Sequence, residues 1–120
     1  MALPALRQRK PVDTGRDRRD RCPGHLAWVR KHECSVSQHG GCDGAIEAAH
    51  VRRGTDAGIG LKPSDNWSVS LCHTHHAEQH RIGEPAFEAK YSINLKQLAA
   101  EFTKASPAWK RYLAKKEQGR

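Results

Sequence analysis

Cys72-His73-Thr74-His75-His76-Ala77-Glu78-Gln79-His80 decides how the rest of the chain is read. Its spacing separates into two sets. Cys72-x2-His75 is a short pair of the kind that supplies two ligands of a tetrahedral zinc from one turn of backbone. His76 and His80 stand four residues apart, so in a helix their imidazoles share one face. Two rings so placed can hold a second metal from one side, or simply form polar surface.

Upstream, Cys34-x7-Cys42 offers the complementary knuckle, with Gly40, Gly41 and Gly44 allowing tight backbone around an ion. Cys34, Cys42, Cys72 and His75 together make a Cys3His set for a structural Zn²⁺. Unpaired buried thiols are the alternative. A chain of 120 residues with 37% hydrophobic and 6% aromatic residues has little core to spend. Ligand bonds can replace the missing apolar area. Disulfides would be the other use of cysteine, but Met1 to Arg21 carries seven Arg/Lys and no apolar run of a secretory leader. A reducing, cytoplasmic setting is therefore expected. No apolar stretch approaches the roughly 18 residues of a membrane span.

The net charge of +8 points to a polyanion, with nucleic acid the usual one. Residues 1–21 hold seven basic and three acidic side chains and residues 104–120 hold six and one, leaving eight against nine in between. Phosphate attraction would come from the two ends, unless these are solubilising tails. Residues 1–21 mix prolines, Gly15 and clustered charge without apolar periodicity, and are expected as a disordered basic arm. The body is expected over 22–105, and a basic helix over 106–120.

Within the body, His25 to Lys31 has helical spacing. Ala45 to Val51 reads as a strand after a loop, and residues 52–64 read as a loop. Trp67-Ser68-Val69-Ser70-Leu71 alternates with the period of a half-buried strand. Two strands followed by the His-rich helix are implied, an α+β arrangement. Helices are expected from Glu84 to Tyr91, then from Leu95 with Asn94 or Ser92 as cap, then from Ser106-Pro107 as N-cap and first turn. Trp28, Trp67, Phe102 and Trp109 read as core, and His32, His39 and His73 as surface. Cys22 reads as a free thiol.

His50 ends the first expected strand, and Asp65-Asn66 precede the second. Phosphodiester hydrolysis needs a base for water, a divalent cation for the phosphate charge, and a group to orient the base. One imidazole, two more able to hold metal, and a carboxylate or amide make that set.

These residues resemble the HNH (His-Me finger) endonuclease superfamily. Within it they are similar to small prophage-encoded members such as the phage recombination-enhancement nucleases that depend on RecA. The likeness rests on His25-Leu26-x2-Val29-Arg30, Cys34-x7-Cys42-Asp43-Gly44, Ala49-His50-Val51-Arg52, Lys62-Pro63-Ser64-Asp65 and Leu71-Cys72-x2-His75-His76, and covers about residues 24–103. It implies a small zinc-bound ββα-metal, treble-clef-like finger with flanking helices. His50 is then the general base, and Asp65 or Asn66 the orienting residue. His76 and His80 are ligands of a catalytic Mg²⁺, Mn²⁺, Ni²⁺ or Zn²⁺, and Cys34, Cys42, Cys72 and His75 hold the structural zinc. Arg52, Arg53 and Lys62 flank the base as DNA contacts or as a solvated loop. DNA is the implied substrate, a RecA-type recombinase filament a partner, and a monomer or weak dimer the assembly. Many HNH enzymes place a third metal ligand immediately before the base, where this chain has Ala49. That departure favours the rival expectation, a catalytically inactive zinc module that binds DNA or a recombinase.

Overall fold

Two strands set the frame. Ile46–His50 (β1) pairs antiparallel with Ser68–Cys72 (β2), in a register that puts Ile46 opposite Cys72 and His50 opposite Ser68. These are the elements of a computed structural model that describes residues 3–5 and 19–119. The basic arm expected over 1–21 lies outside the described residues apart from 3–5 and 19–21. Before β1 come a helix, Pro23–Val29 (α1), and a single 3-10 turn, Ser37–His39. After β2 come His73–Ile82 (α2), Glu84–Tyr91 (α3), Leu95–Ala105 (α4) and Pro107–Gln118 (α5). The expected α+β order of two strands and a helix, with helices on either side, is the observed one.

Why each helix begins where it does is legible locally. Cys72 caps α2 with its thiol, Sγ accepting from His75 N at 3.4 Å. Asn94 Oδ1 accepts from Gln97 N at 2.9 Å and opens α4, whereas Ser92 sits in the left-handed region and closes α3. Ser106 accepts from Trp109 N at 3.1 Å with Pro107 in the first turn of α5.

The core lies between the sheet and the later helices: Val36, Ala49, Val51, Val69, Leu71, Phe87, Leu95 and Ala99, closed by Cys34, Cys72 and Tyr91. Each large apolar side chain withdrawn from water there stabilises the fold by about 1.5–3 kcal/mol. β2 departs from the half-buried expectation, because all five of its residues are buried. Its polar face is covered by the segment after α1, where Ser70 Oγ donates to Glu33 O at 2.7 Å and Ser35 N donates to Ser70 O at 2.8 Å. Ser68 Oγ donates to Asp65 O at 2.6 Å, so neither hydroxyl is stranded.

A second, smaller packing unit joins the two ends of the described body. His25 is wholly buried between Trp28 and Trp109, its Nδ1 2.8 Å from the Ser106 hydroxyl that also caps α5. Asp20 accepts from Tyr112 OH at 2.8 Å and Lys116 Nζ at 2.6 Å, so α5 is tied to the segment before α1. His32, expected at the surface, is half-buried between Trp28 and Phe102, with Nδ1 2.9 Å from Trp28 O. Trp28, Trp67 and Phe102 are partly buried and Trp109 buried, as core residues should be. Among the described residues no helix is long and apolar enough to cross a membrane.

Candidate active site and metal centre

α2 folds back along β1, and this puts the two halves of the His-rich stretch to different sides. His75, Glu78 and Gln79 are buried, whereas His76 is half-buried and His80 exposed. On the buried side, His75 Nδ1 lies 3.4 Å from Cys34 Sγ, 3.6 Å from Cys42 Sγ and 3.1 Å from Cys72 Sγ. All four ligand atoms fall within 4.8 Å of one another. Bonds of the usual Zn–S and Zn–N lengths in a tetrahedron put sulfur and nitrogen about 3.5 Å apart, so these residues fit a zinc ion. Gly40, Gly41 and Gly44 all have positive φ in the knuckle before β1. At Gly44 a Cβ would fall 2.6 Å from His73 Cβ, so the close approach to α2 requires glycine.

The packed thiols resist ionising together. Desolvation and the neighbouring thiols of Cys34 and Cys72 push the Cys42 thiol up to about 12. Desolvation also opposes ionisation of Cys72, but hydrogen bonds from the backbone of His75 and Asp43 outweigh it and lower that thiol. Three thiols packed together do not ionise together without a positive charge among them. Cys22 is buried away from this set, its Sγ 3.9 Å from Ala108 O.

On the open side, His76 Nε2 and His80 Nε2 lie 3.2 Å apart. Two imidazole nitrogens on one ion of tetrahedral or octahedral geometry stand about 2.9–3.4 Å apart, and the pair fits that spacing. Among the described residues no third His, Cys, Asp or Glu ligand atom joins them, the Cys3His group being the cluster of such ligands. Ala49 is wholly buried in the core. Two residues before it on the same face of β1, Glu47 reaches α2, its Oε1 2.8 Å from His76 Nδ1 and its Oε2 3.1 Å from His73 Nδ1. Those two hydrogen bonds hold the Glu47 carboxyl below its ordinary range. Carboxylates in this relation to a metal-binding imidazole fix its tautomer and leave Nε2 as the donor.

His50 ends β1, half-buried, and its Nε2 stands 2.9 Å from Asp65 Oδ1. Asp65 is buried and fully engaged: Oδ2 accepts from Cys22 N at 2.7 Å, and Arg21 Nη1 is 3.5 Å from Oδ1. Asn66 meets α4 instead, its backbone carbonyl accepting from Thr103 Oγ1 at 2.7 Å. Gln79 Nε2 donates to His50 O at 3.4 Å and ties the strand end to α2. An open cleft of about 550 Å³ takes in His50, Arg52, Arg53, Gln79, His80 and Glu84. The expected base and one of the expected metal-binding imidazoles thus share one cleft.

The basic loop is only partly free to meet a ligand. Arg52 spends its guanidinium on the loop itself, donating to Leu61 O at 3.2 Å and Gly58 O at 2.8 Å. The backbone N–H groups of Arg52 and Arg53 both donate to Glu84, at 2.8 and 3.0 Å. Arg53 and Lys62 have exposed side chains. Sequence reading missed Glu47, Arg21 and Glu84. Only Glu47 carried a usable signal, since two-residue alternation from Ala49 aims it at α2.

A family model described as "Putative HNHc nuclease" matches residues 15–111, a span that includes His50, Asp65, His76, His80 and all four Cys3His residues. No curated protein and no solved structure matches the chain significantly.

Proposed function

The chain belongs to this HNHc nuclease family, and from that premise we propose that it is a metal-dependent endonuclease hydrolysing DNA phosphodiester bonds. The observation that carries the reading is the His50–Asp65 hydrogen bond at the edge of a cleft shared with His80. An ionised Asp65 accepts Nε2–H of His50 and so leaves Nδ1 as the basic nitrogen. Nδ1 takes a proton from water, whose oxygen attacks phosphorus while the bond to the 3′-oxygen breaks. Asp65 stabilises the imidazolium that results.

His76 and His80 would hold a divalent cation, which when bound would neutralise charge on the scissile phosphate and the departing oxygen. Glu47 accepts Nδ1–H of His76 and so leaves its Nε2 as the nitrogen able to bind metal. Cys34, Cys42, Cys72 and His75 would hold zinc that stiffens the root of α2. Asp65, rather than Asn66, is the orienting residue in this reading. Arg53 and Lys62 meet phosphates beside the cut, with Arg52 shaping the loop that carries them. The family resemblance further suggests a phage or prophage origin and a role in recombination or DNA processing with a RecA-type filament.

A second reading, an inactive zinc module that binds DNA or a recombinase, is favoured by one observation: Ala49 gives α2 no ligand from β1. Plasmid nicking with Mg²⁺, Mn²⁺, Ni²⁺ or Zn²⁺, with and without a RecA-type filament, separates the two. An endonuclease nicks as wild type and loses activity as His50→Ala and His76→Ala. Nicking that survives both substitutions, or no nicking under any condition, overturns the catalytic assignment.

A further inference from the structure

Ile59 is fully exposed, at 102%, and Leu61 beside it is 41% exposed. An apolar side chain held entirely in water gains nothing for the fold, yet the loop that presents it is built to hold its shape. Gly58 and Leu61 exchange two backbone hydrogen bonds, N to O at 3.3 and 3.1 Å, and close a tight turn around Ile59-Gly60. Gly60 sits at φ +69, where a side chain would strain the turn. Arg52 clamps both ends of that turn through its two bonds to Gly58 O and Leu61 O. Behind it Arg19 packs so closely that a Cβ on Gly58 would fall 2.6 Å from Nη2.

The turn stands beside the candidate catalytic cleft. Its root, Arg52, Arg53 and Ala57, lines the cleft that contains His50. The exposed cations Arg53 and Lys62 flank it. A braced turn with an apolar tip and an exposed cation on either side along the chain is complementary to a polyanion whose interior is apolar and stacked. Duplex DNA has that character, and side chains such as Ile enter it as wedges between base steps from the minor groove. We propose that Ile59 is such a wedge, inserted between two base pairs next to the scissile phosphate, with Leu61 packing against the opened step. The proposal rests on the nuclease reading above. It adds a substrate-deforming residue, so that cutting would favour steps that unstack easily, such as TA and CA.

The test uses the full-length zinc-loaded protein and short duplexes that each carry 2-aminopurine at one step, TA and CA steps included, without added divalent cation. Binding of wild type should raise the fluorescence of at least one probe, Ile59→Leu should keep that rise, and Ile59→Ala should lose it while still binding. No rise at saturating wild type, or an equal rise with Ile59→Ala, overturns the wedge. If Ile59→Ala changes only the oligomeric state, the tip is a contact between copies of the chain and the proposal is also overturned. Plasmid nicking by the same wild-type sample separates the two levels. Nicking without a fluorescence rise removes the wedge alone, whereas neither nicking nor binding removes the nuclease reading with it.

Discussion

Asp65 accepts from His50 with one carboxylate oxygen and from the backbone N–H of Cys22 with the other. That second bond makes the pair sensitive to a change of one atom. In Asp65→Asn, the amide oxygen must turn to Cys22 N–H, which can only donate, and the NH2 group then faces His50 Nε2. The imidazole is forced into the tautomer with hydrogen on Nδ1 and loses its basic nitrogen. Asp65→Asn should therefore cost about as much nicking rate as His50→Ala, roughly 10²–10⁴-fold. A rate within a few-fold of wild type would show that Asp65 does not set the tautomer.

Glu47 should behave as a support for His76. Glu47→Ala is expected to raise the divalent-metal concentration for half-maximal nicking, or lower the rate, by about 10–100-fold. Glu47→Gln, which keeps an acceptor for His76 Nδ1–H, should recover part of the loss. Equal defects in the two variants would assign Glu47 a purely structural role.

Metal analysis of the purified chain should find about one tightly held zinc. Binding worth about 10–16 kcal/mol is typical of such sites, so a strong chelator should unfold the protein cooperatively. Cys72→Ala should be worse than Cys42→Ala, because it removes both a ligand and the cap of α2. Cys22→Ser should keep the full stoichiometry. A folded chain without zinc would remove the structural site.

Burial holds the His25 imidazole below its ordinary value of 6.5, against an opposing pull from the charge of Asp65. The unfolded chain then binds this proton more readily than the folded one. The stability this group contributes is complete above 6.5 and declines as pH falls through that value toward the folded one, by up to about 1.4 kcal/mol per pH unit. Urea unfolding at about pH 7 and about pH 5.5 should show that decline in wild type and a flatter profile in His25→Gln, with zinc content checked at both. Parallel profiles would exclude His25 as the source.

The basic loop residues should separate by what their charges touch. Arg53→Ala and Lys62→Ala should each reduce the salt slope of DNA binding by about 1. Arg52→Lys keeps the charge but cannot hold two carbonyls in the same fork, so cutting should fall with little change in slope. A slope lowered by about 1 in Arg52→Ala, as in Arg53→Ala, would return that side chain to direct phosphate contact.

Short-range features were readable from the chain alone. The division of Cys72 to His80 follows from residue spacing, and the starts of α4 and α5 follow from Asn94 and Ser106-Pro107, because caps and helix faces depend on neighbours a few positions away. What escaped depends on partners far along the chain. Glu47 meets His76 across 29 positions. Ser68 and Ser70 look solvent-facing until the segment after α1 covers them. Asp20 and Arg21, read as part of a disordered arm, are hydrogen-bonded to Lys62, Pro63 and Ser64 and to α5. Arg52 looked like a phosphate contact because composition reports its charge and not its commitments.

His75 and His76 are successive residues of one helical turn, and the turn is capped by the thiol of Cys72. On the proposed function, the ring that closes the zinc knuckle and a ring that would hold the catalytic cation cannot be positioned separately. A chain without zinc would then lack an ordered cleft as well as a knuckle, so metal loading and nicking competence would be gained together.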